Sequence, residues 1–274
     1  MKVGYQGIKG AYSEEALYKH FGKNVEAIGF ETFEEVFEAV RKGDVGFGIL
    51  PFENTITGSI VMNYDLILKE EMYIIAEILL NIKHYLLSHK SNKTGNIKKA
   101  YSHPVALDQC REFLKKHNIR GIPEYDTAGA AKMIKERNKD DEAAIASDIC
   151  SDIYDLEILE REIETNKANL TKFFVIVNND KIPTDLKKEK TSIAFKTKHY
   201  PGALVNCLER LSKNNVNLTK LESRPIAENP WEYVFYAELD GGVDDDNVKL
   251  SLKEIEAATL FLKVLGSYPK AIRK

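Results

Sequence analysis

Glu164-Thr165-Asn166-Lys167-Ala168-Asn169-Leu170-Thr171-Lys172-Phe173-Phe174 joins a cluster of hydroxyl, amide and cationic side chains to the start of an apolar run. Phe173 to Val177 reads as a buried strand, so Thr171 and Lys172 stand at its mouth, fixed by packing that the strand supplies. Taken alone, the segment is a polar loop entering a strand. Whether it is a site depends on what else the chain brings to that mouth.

Upstream, strands alternate with helices. Val3 to Gln6 is a short strand, and the turn Gly7-Ile8-Lys9-Gly10-Ala11-Tyr12 leads into a helix that Ser13 can cap and that runs to Phe21. Val25 to Phe30 is a second strand, and Thr32-Phe33-Glu34-Glu35 is a capping box that opens the next helix. Val45 to Leu50 is a third strand, followed by a polar loop from Pro51 to Ser59 and a helix from Ile60 to Leu68. Tyr73 to Leu87 reads as one long strand. The alternation then restarts: a strand ending at Tyr101, a helix capped by Ser102 with Pro104 in its first turn, a strand from Gly121 to Tyr125, and a helix capped at Asp126-Thr127. Ala143 to Ala146 is a strand and Ser147-Asp148 caps a short helix, so a mostly parallel α/β sheet is expected.

Beyond a Lys-rich stretch from Asn178 to Glu189 the pattern changes. Strands at Thr191–Thr197, Val216–Ile226, Trp231–Leu239 and Ser267–Ile272, with helices at Gly202–Lys213 and Leu252–Leu265, give a ferredoxin-like order. The acidic block Asp244-Asp245-Asp246 falls where a loop is expected.

Composition narrows the function. A net charge of -3 with 30% charged residues of both signs argues against a nucleic-acid or membrane-surface partner. With no apolar leader and no membrane-length apolar run, a cytoplasmic location is expected. The three cysteines are isolated and the six histidines scattered, so neither a disulfide nor a metal site is expected. No Gly-x-Gly-x-x-Gly fingerprint, phosphate loop or nucleophile elbow is present, so no cofactor and no covalent catalysis are expected. Polar residues instead collect at strand-to-helix junctions: Ser13, Thr55 to Ser59, Ser102, Thr127 and Ser147. Helix N-termini there suit a small molecule bearing carboxylates.

Six stretches carry a family resemblance over nearly the whole chain: Gly7 to Ser13, Pro51-Phe52-Glu53-Asn54-Thr55 with Gly58, Ser102 to Cys110, Asp126-Thr127-Ala128, Ala144 to Ser147, and Asn169 to Phe173. The chain resembles the monofunctional prephenate dehydratases, in which a catalytic domain precedes an ACT regulatory domain. The resemblance implies an α/β catalytic domain of two lobes, like type II periplasmic binding proteins, over residues 1–180 with its second lobe at about 76–160. It implies a linker at 181–190 and an α+β, ferredoxin-like ACT domain at 191–274.

The implied reaction removes the ring hydroxyl of prephenate as water and its ring carboxylate as carbon dioxide, giving phenylpyruvate. Aromatisation drives it, so positioning, which can remove roughly 7–11 kcal/mol of barrier, is expected to outweigh general acid catalysis at ~10²–10⁴-fold. By resemblance, Thr171 stands at the leaving hydroxyl, with Lys172 or a protonated Glu53 as alternative proton sources, and Asn54 completes the catalytic set. Ser13, Thr55, Ser102, His103, Gln109, Thr127, Ala128 and Phe173 are implied substrate-binding residues. Gly202-Ala203-Leu204-Val205 and Glu222-Ser223-Arg224-Pro225 resemble the two motifs that bind phenylalanine between ACT domains, which implies a homodimer or homotetramer. Lys172 replaces the family's usual arginine and lacks its planar fork. Arogenate dehydratase and a non-catalytic small-ligand sensor are the competing readings.

Overall fold

In the computed structural model, which describes residues 1–137, 139–226 and 229–271, the chain order is β1 (Lys2–Gln6), α1 (Tyr12–Phe21), β2 (Glu26–Phe30), α2 (Phe33–Lys42), β3 (Phe47–Asn54), β4 (Gly58–Ser59), α3 (Val61–Lys69) and β5 (Met72–Asn81). It continues through β6 (Tyr85–Ser88), β7 (Lys99–Ser102), α4 (Pro104–Gln109), α5 (Arg111–Lys116), β8 (Arg120–Pro123), α6 (Thr127–Arg137), β9 (Glu142–Ala146), α7 (Ile149–Ile153), β10 (Glu157–Glu160) and β11 (Leu170–Asn178). Then come β12 (Lys190–Thr197), α8 (Ala203–Lys213), β13 (Leu218–Ile226), β14 (Asn229–Asp240), α9 (Asp246–Ala258) and β15 (Thr259–Tyr268).

The chain divides into two compact units. One comprises Met1–Val36, Glu53–Gly58 and Leu80–Thr171, and the other Phe37–Phe52, Ser59–Leu79 and the described residues from Lys172 onward. In the first, β1 pairs parallel with β2, and a second sheet has the order β10-β6-β9-β7-β8. Parallel β7/β8 and β7/β9 pairs sit beside antiparallel β6/β9 and β10/β6 pairs, so the sheet is mixed rather than mostly parallel. Its core gathers Leu86, Ala100, Cys110, Leu114, Ala143 and Ile145. In the second unit the order is β13-β14-β12-β15-β5-β11-β3, with β4 on β3. The sequence β12-α8-β13-β14-α9-β15 has the ferredoxin-like connection and strand order, over a core that includes Ile193, Phe195, Leu211, Leu239, Val248 and Ile255.

Several local signals behave as their chemistry dictates. The Thr32 hydroxyl accepts from Glu35 N at 3.2 Å, and the Glu35 carboxylate accepts from Thr32 N at 3.3 Å; this reciprocal cap starts α2. Other hydroxyls expected to cap do something else. Ala11 occupies the cap position of α1, so Ser13 lies inside the helix, and the Gly10 amide donates to Glu14 Oε2 at 2.7 Å. His103, not Ser102, caps α4: its Nδ1 accepts from Val105 N at 3.3 Å. Ser147 donates to the Gly10 carbonyl at 2.7 Å rather than to α7. Gly10 itself needs its positive φ of 94°, and a Cβ there would meet Cys150 Sγ at 2.5 Å.

Three boundaries move. β3 runs through Pro51 to Asn54, because Phe52 and Asn54 continue its alternating burial, and only Thr55-Ile56-Thr57 form the turn into β4. The long Tyr73–Leu87 run breaks at Ile82-Lys83-His84 into β5 and β6. The last helix is Asp246–Ala258, not Leu252–Leu265. The acidic block lies at its N-terminus, where negative charge meets the positive dipole end. From Thr259 the β-branched and aromatic residues form β15; the expected strand's end at Ile272 lies outside the described residues. β10 had no counterpart in the sequence reading. Among the described residues no helix is long and apolar enough to cross a membrane.

Candidate active site

The tight hairpin between β3 and β4 is organised by one side chain. Asn54 Oδ1 accepts from Ile56 N at 2.9 Å, Thr57 N at 3.0 Å and Thr57 Oγ1 at 3.3 Å, an Asx turn that leaves its Nδ2 facing inward. That nitrogen lies 2.7 Å from Asn169 Oδ1 and 3.0 Å from Thr171 Oγ1, with a longer 3.3 Å approach to the Leu170 carbonyl. Thr55 ties the same hairpin to the opening stretch. Its hydroxyl donates to Ala168 O at 2.7 Å and accepts from Leu170 N at 3.0 Å, while its amide donates to Leu170 O at 2.9 Å.

Asn169 Nδ2 donates to Gln109 Oε1 at 3.0 Å, and His84 Nε2 reaches the same oxygen at 2.7 Å. Gln109 is the last residue of α4, whose start at Pro104 puts it toward the opening stretch; its carbonyl accepts from Thr165 N at 2.8 Å. On the far side of the ring, His84 Nδ1 is 2.8 Å from the Tyr12 hydroxyl. Glu164 Oε2 accepts from the His84 amide at 2.9 Å, and Lys167 pairs with Glu164 at 3.0 Å. His84, Asn169, Thr171, Asn54 and Gln109 are each at most 8% exposed, so this polar wall is desolvated and its hydrogen bonds must be mutually satisfied.

Burial pushes the His84 ring below its ordinary value against the opposing pull of Gln109 and Glu164, which favours the neutral form. His103 is likewise lowered by burial, with Asp126 pulling the other way, and Asp126 is itself raised by burial. Glu15 on α1 is pushed up to about 7, first by burial and then by Asp148. Between an unfolded value of 4.5 and this folded value, the native state holds a proton that the unfolded chain releases, so stability falls as pH rises through that window. Glu15→Gln should therefore gain on the wild type by at most about 3 kcal/mol between pH 5 and pH 8. Denaturant unfolding at both pH values checks this; an equal difference at the two would contradict it.

Of the residues singled out from sequence, Thr171, Asn54 and Gln109 come together, with Thr55 pinning the hairpin beside them. Glu53 precedes Asn54 on β3 and is half-buried. Ser13 is buried on α1; Thr127 begins α6 with Ala128 fully buried behind it. Ser102 gives its hydrogen to Ile145 O at 2.6 Å. Phe173 is buried in the second unit, and there Lys172 pairs with Glu238 at 2.6 Å. Adjacent strand residues face opposite ways, so Thr171 and Lys172 serve different surroundings. Glu238 also holds Lys190 at 2.6 Å, and Lys190 reaches Glu77 at 2.8 Å.

Gly202, Ala203, Leu204 and Val205 line a pocket of about 240 Å³ together with Tyr233 and Phe235. The other motif lies on β13, where Glu222 accepts from Ser59 at 2.6 Å and Arg224 pairs with Asp65 at 3.1 Å; Ser223 and Pro225 are exposed opposite Phe235 and Tyr233 of β14.

Sequence reasoning missed His84 and gave no role to Tyr12, Asn169 or Glu164. A signal existed: Lys83-His84 interrupts an apolar run whose neighbours are buried, a place where polar groups require partners.

The family model for prephenate dehydratase matches residues 3–181. A bifunctional chorismate mutase/prephenate dehydratase from Aquifex aeolicus is 39% identical over 273 residues, covering 99% of this chain and 74% of that one. Arogenate dehydratase/prephenate dehydratase 2, chloroplastic, from Arabidopsis thaliana is 37% identical over 278 residues, covering 98% of this chain and 73% of its own. The crystal structure of prephenate dehydratase in complex with L-Phe from Arthrobacter aurescens superposes with a TM-score of 0.89 at 27% identity, covering 98% of this chain and 90% of that one. A match over most of the chain, with relatives above one-third identity along nearly its whole length, places this α/β chain in the prephenate dehydratase family.

Proposed function

We propose that this chain catalyses the decarboxylating dehydration of prephenate to phenylpyruvate, with Thr171 hydrogen-bonded to the departing ring hydroxyl. The observation that carries the reading is the Asn54 Nδ2 to Thr171 Oγ1 bond at 3.0 Å. It fills an acceptor site on the hydroxyl and leaves its hydrogen for another partner. The electrons of the carboxylate–ring bond enter the ring as carbon dioxide departs, the ring–oxygen bond breaks, and the hydroxyl takes a proton to leave as water. Thr171 assists that last event as a fixed donor in a desolvated wall, where such a bond is worth more than in water.

Glu53 and Asn54 belong to this catalytic set, and Ser13, His103, Gln109, Thr127 and Ala128 to the substrate's surroundings. Lys172 is engaged by Glu238, which argues for an electrostatic role away from the leaving group rather than a carboxylate clamp. Arogenate is the second reading, because the name of the Arabidopsis relative carries both substrates.

We assign an ACT regulatory domain to residues 191–274, following a linker at 181–190, with the catalytic domain at 1–180. The pocket at Gly202 to Val205, with an aromatic wall from Tyr233 and Phe235, suits the side chain of phenylalanine. Glu222 and Arg224 would complete an effector site across an interface between copies, so the assembly is a homodimer or homotetramer in the cytoplasm. A coupling of roughly 1–3 kcal/mol changes substrate affinity 5- to 150-fold.

One assay tests these readings: phenylpyruvate release from prephenate and phenylalanine release from arogenate, each with and without added L-phenylalanine. Preferential turnover of prephenate is expected, with the rate lowered by phenylalanine. Faster turnover of arogenate transfers the function to the second reading, no product from either substrate leaves a sensor, and a rate untouched by saturating phenylalanine removes the regulatory assignment.

A further inference from the structure

Backbone N–H groups donate and cannot be turned round, so a buried run of amides that starts on them has only one direction. Ile56 N and Thr57 N point at one amide atom of Asn54, which must be Oδ1. The other atom is therefore Nδ2, and it faces Asn169 at 2.7 Å and Thr171 at 3.0 Å. Asn169 has to answer with Oδ1, which turns its Nδ2 to Gln109 at 3.0 Å. Gln109 must answer with Oε1, and that oxygen is also 2.7 Å from His84 Nε2. An acceptor cannot face a bare ring nitrogen, so Nε2 carries a hydrogen.

The geometry points to His84 as a positioning residue for the reaction: its Nε2–H closes the run of hydrogen bonds that holds Gln109, Asn169 and Asn54 in one orientation and so keeps the Thr171 hydroxyl a donor. This rests on the dehydratase reading of Thr171. The direction survives either protonation state of the ring. When His84 is neutral, Nδ1 accepts from the Tyr12 hydroxyl at 2.8 Å; when it is charged, Nδ1–H donates to Tyr12, whose own hydrogen goes to Lys83 O at 2.7 Å. Glu164, on the His84 amide, is the carboxylate beside it. Three amide side chains separate the ring from Thr171, and an amide N–H does not pass a proton along. His84 therefore transmits orientation and is not the acid.

The test separates these roles. His84→Leu removes the terminal donor, whereas the side-chain amide of His84→Gln can replace it. For His84→Leu we expect kcat lower by roughly 10- to 100-fold with KM within about twofold, as for a slightly misplaced catalytic group. His84→Gln should recover to within about threefold of wild type and keep both limbs of the pH–kcat profile. Full activity in the Leu variant, equal damage in both variants, or a lost pH limb in the Gln variant would overturn the inference. Should the Leu variant not fold, Asn169→Asp, which sets an acceptor against Gln109 Oε1, carries the same expected loss, and full activity there would equally overturn it. Independently of turnover, ¹⁵N signals of labelled histidine in the wild type should show Nε2 protonated; the Nδ1–H tautomer for His84 would refute the chain. If the wild type turns over neither prephenate nor arogenate, the dehydratase reading fails alone, and the tautomer measurement still decides the chain.

Discussion

Thr171→Val should lower kcat for prephenate by ~10²–10⁴-fold, the range for losing a positioned acid or donor, while KM moves little. Valine keeps the shape of the side chain and removes only the hydroxyl. Asn54 Nδ2 then loses one acceptor but keeps Asn169 Oδ1, so the stability cost should stay near ~1 kcal/mol. The split matters, because a hydroxyl that binds substrate and transition state equally would raise KM instead. Thr171→Ser retains the donor and should recover most of the rate. Steady-state kinetics of the three proteins beside their thermal unfolding curves make the comparison; a Val variant within threefold of wild type would remove Thr171 from the chemistry.

The second large effect is on stability. Glu238 is 2% exposed and takes two cations, Lys172 on Oε1 and Lys190 on Oε2, with the Tyr64 hydroxyl 3.4 Å from Oε1. Burial alone would raise this carboxyl, but the two lysines outweigh it and hold it below the usual range. Lys190 feels the mirror image: burial lowers it, and Glu238 and Glu77 together raise it. Glu238→Gln leaves two buried ammonium groups around a neutral amide, and breaking such a cluster on one side costs roughly 3–5 kcal/mol. Because the folded carboxyl is depressed, its contribution is present above the unfolded value and is lost as pH falls through the folded one. The gap between wild type and Glu238→Gln in denaturant unfolding should thus be wide at pH 7 and narrow in acid. A gap of the same size at both would mean that shape, not charge, is being measured.

Much of this is legible in the sequence alone. Periodicity and capping chemistry placed β1, α2, α6, β9 and β12 because their patterns are local and self-contained. One boundary that moved was set by distant partners, since β3 runs on to Asn54, which binds Asn169 and Thr171; the other was local, α9 beginning at the acidic block rather than after it. Hydroxyls misled in a consistent way. Ser102 and Ser147 stand where caps stand, but each donates to a carbonyl far along the chain, Ile145 and Gly10. Thr171, Asn54 and Gln109 could be named from motifs; their mutual hydrogen bonds could not, since 117 positions separate Asn54 from Thr171. Lys172 shows the same limit, because nothing in the sequence pairs it with Glu238, 66 positions on.

In the second unit the backbones approach closely where β15 pairs with β5: a Cβ on Gly266 would meet the Ile74 carbonyl at 2.4 Å. Together with the cluster that joins Glu77, Lys172, Lys190 and Glu238, it makes the C-terminal segment part of one sheet and one charge balance with residues 59–79. A cut near residue 190 would bare a strand edge and strand Lys172 without its carboxylate, so exchanging C-terminal segments between relatives requires the facing residues to travel with them.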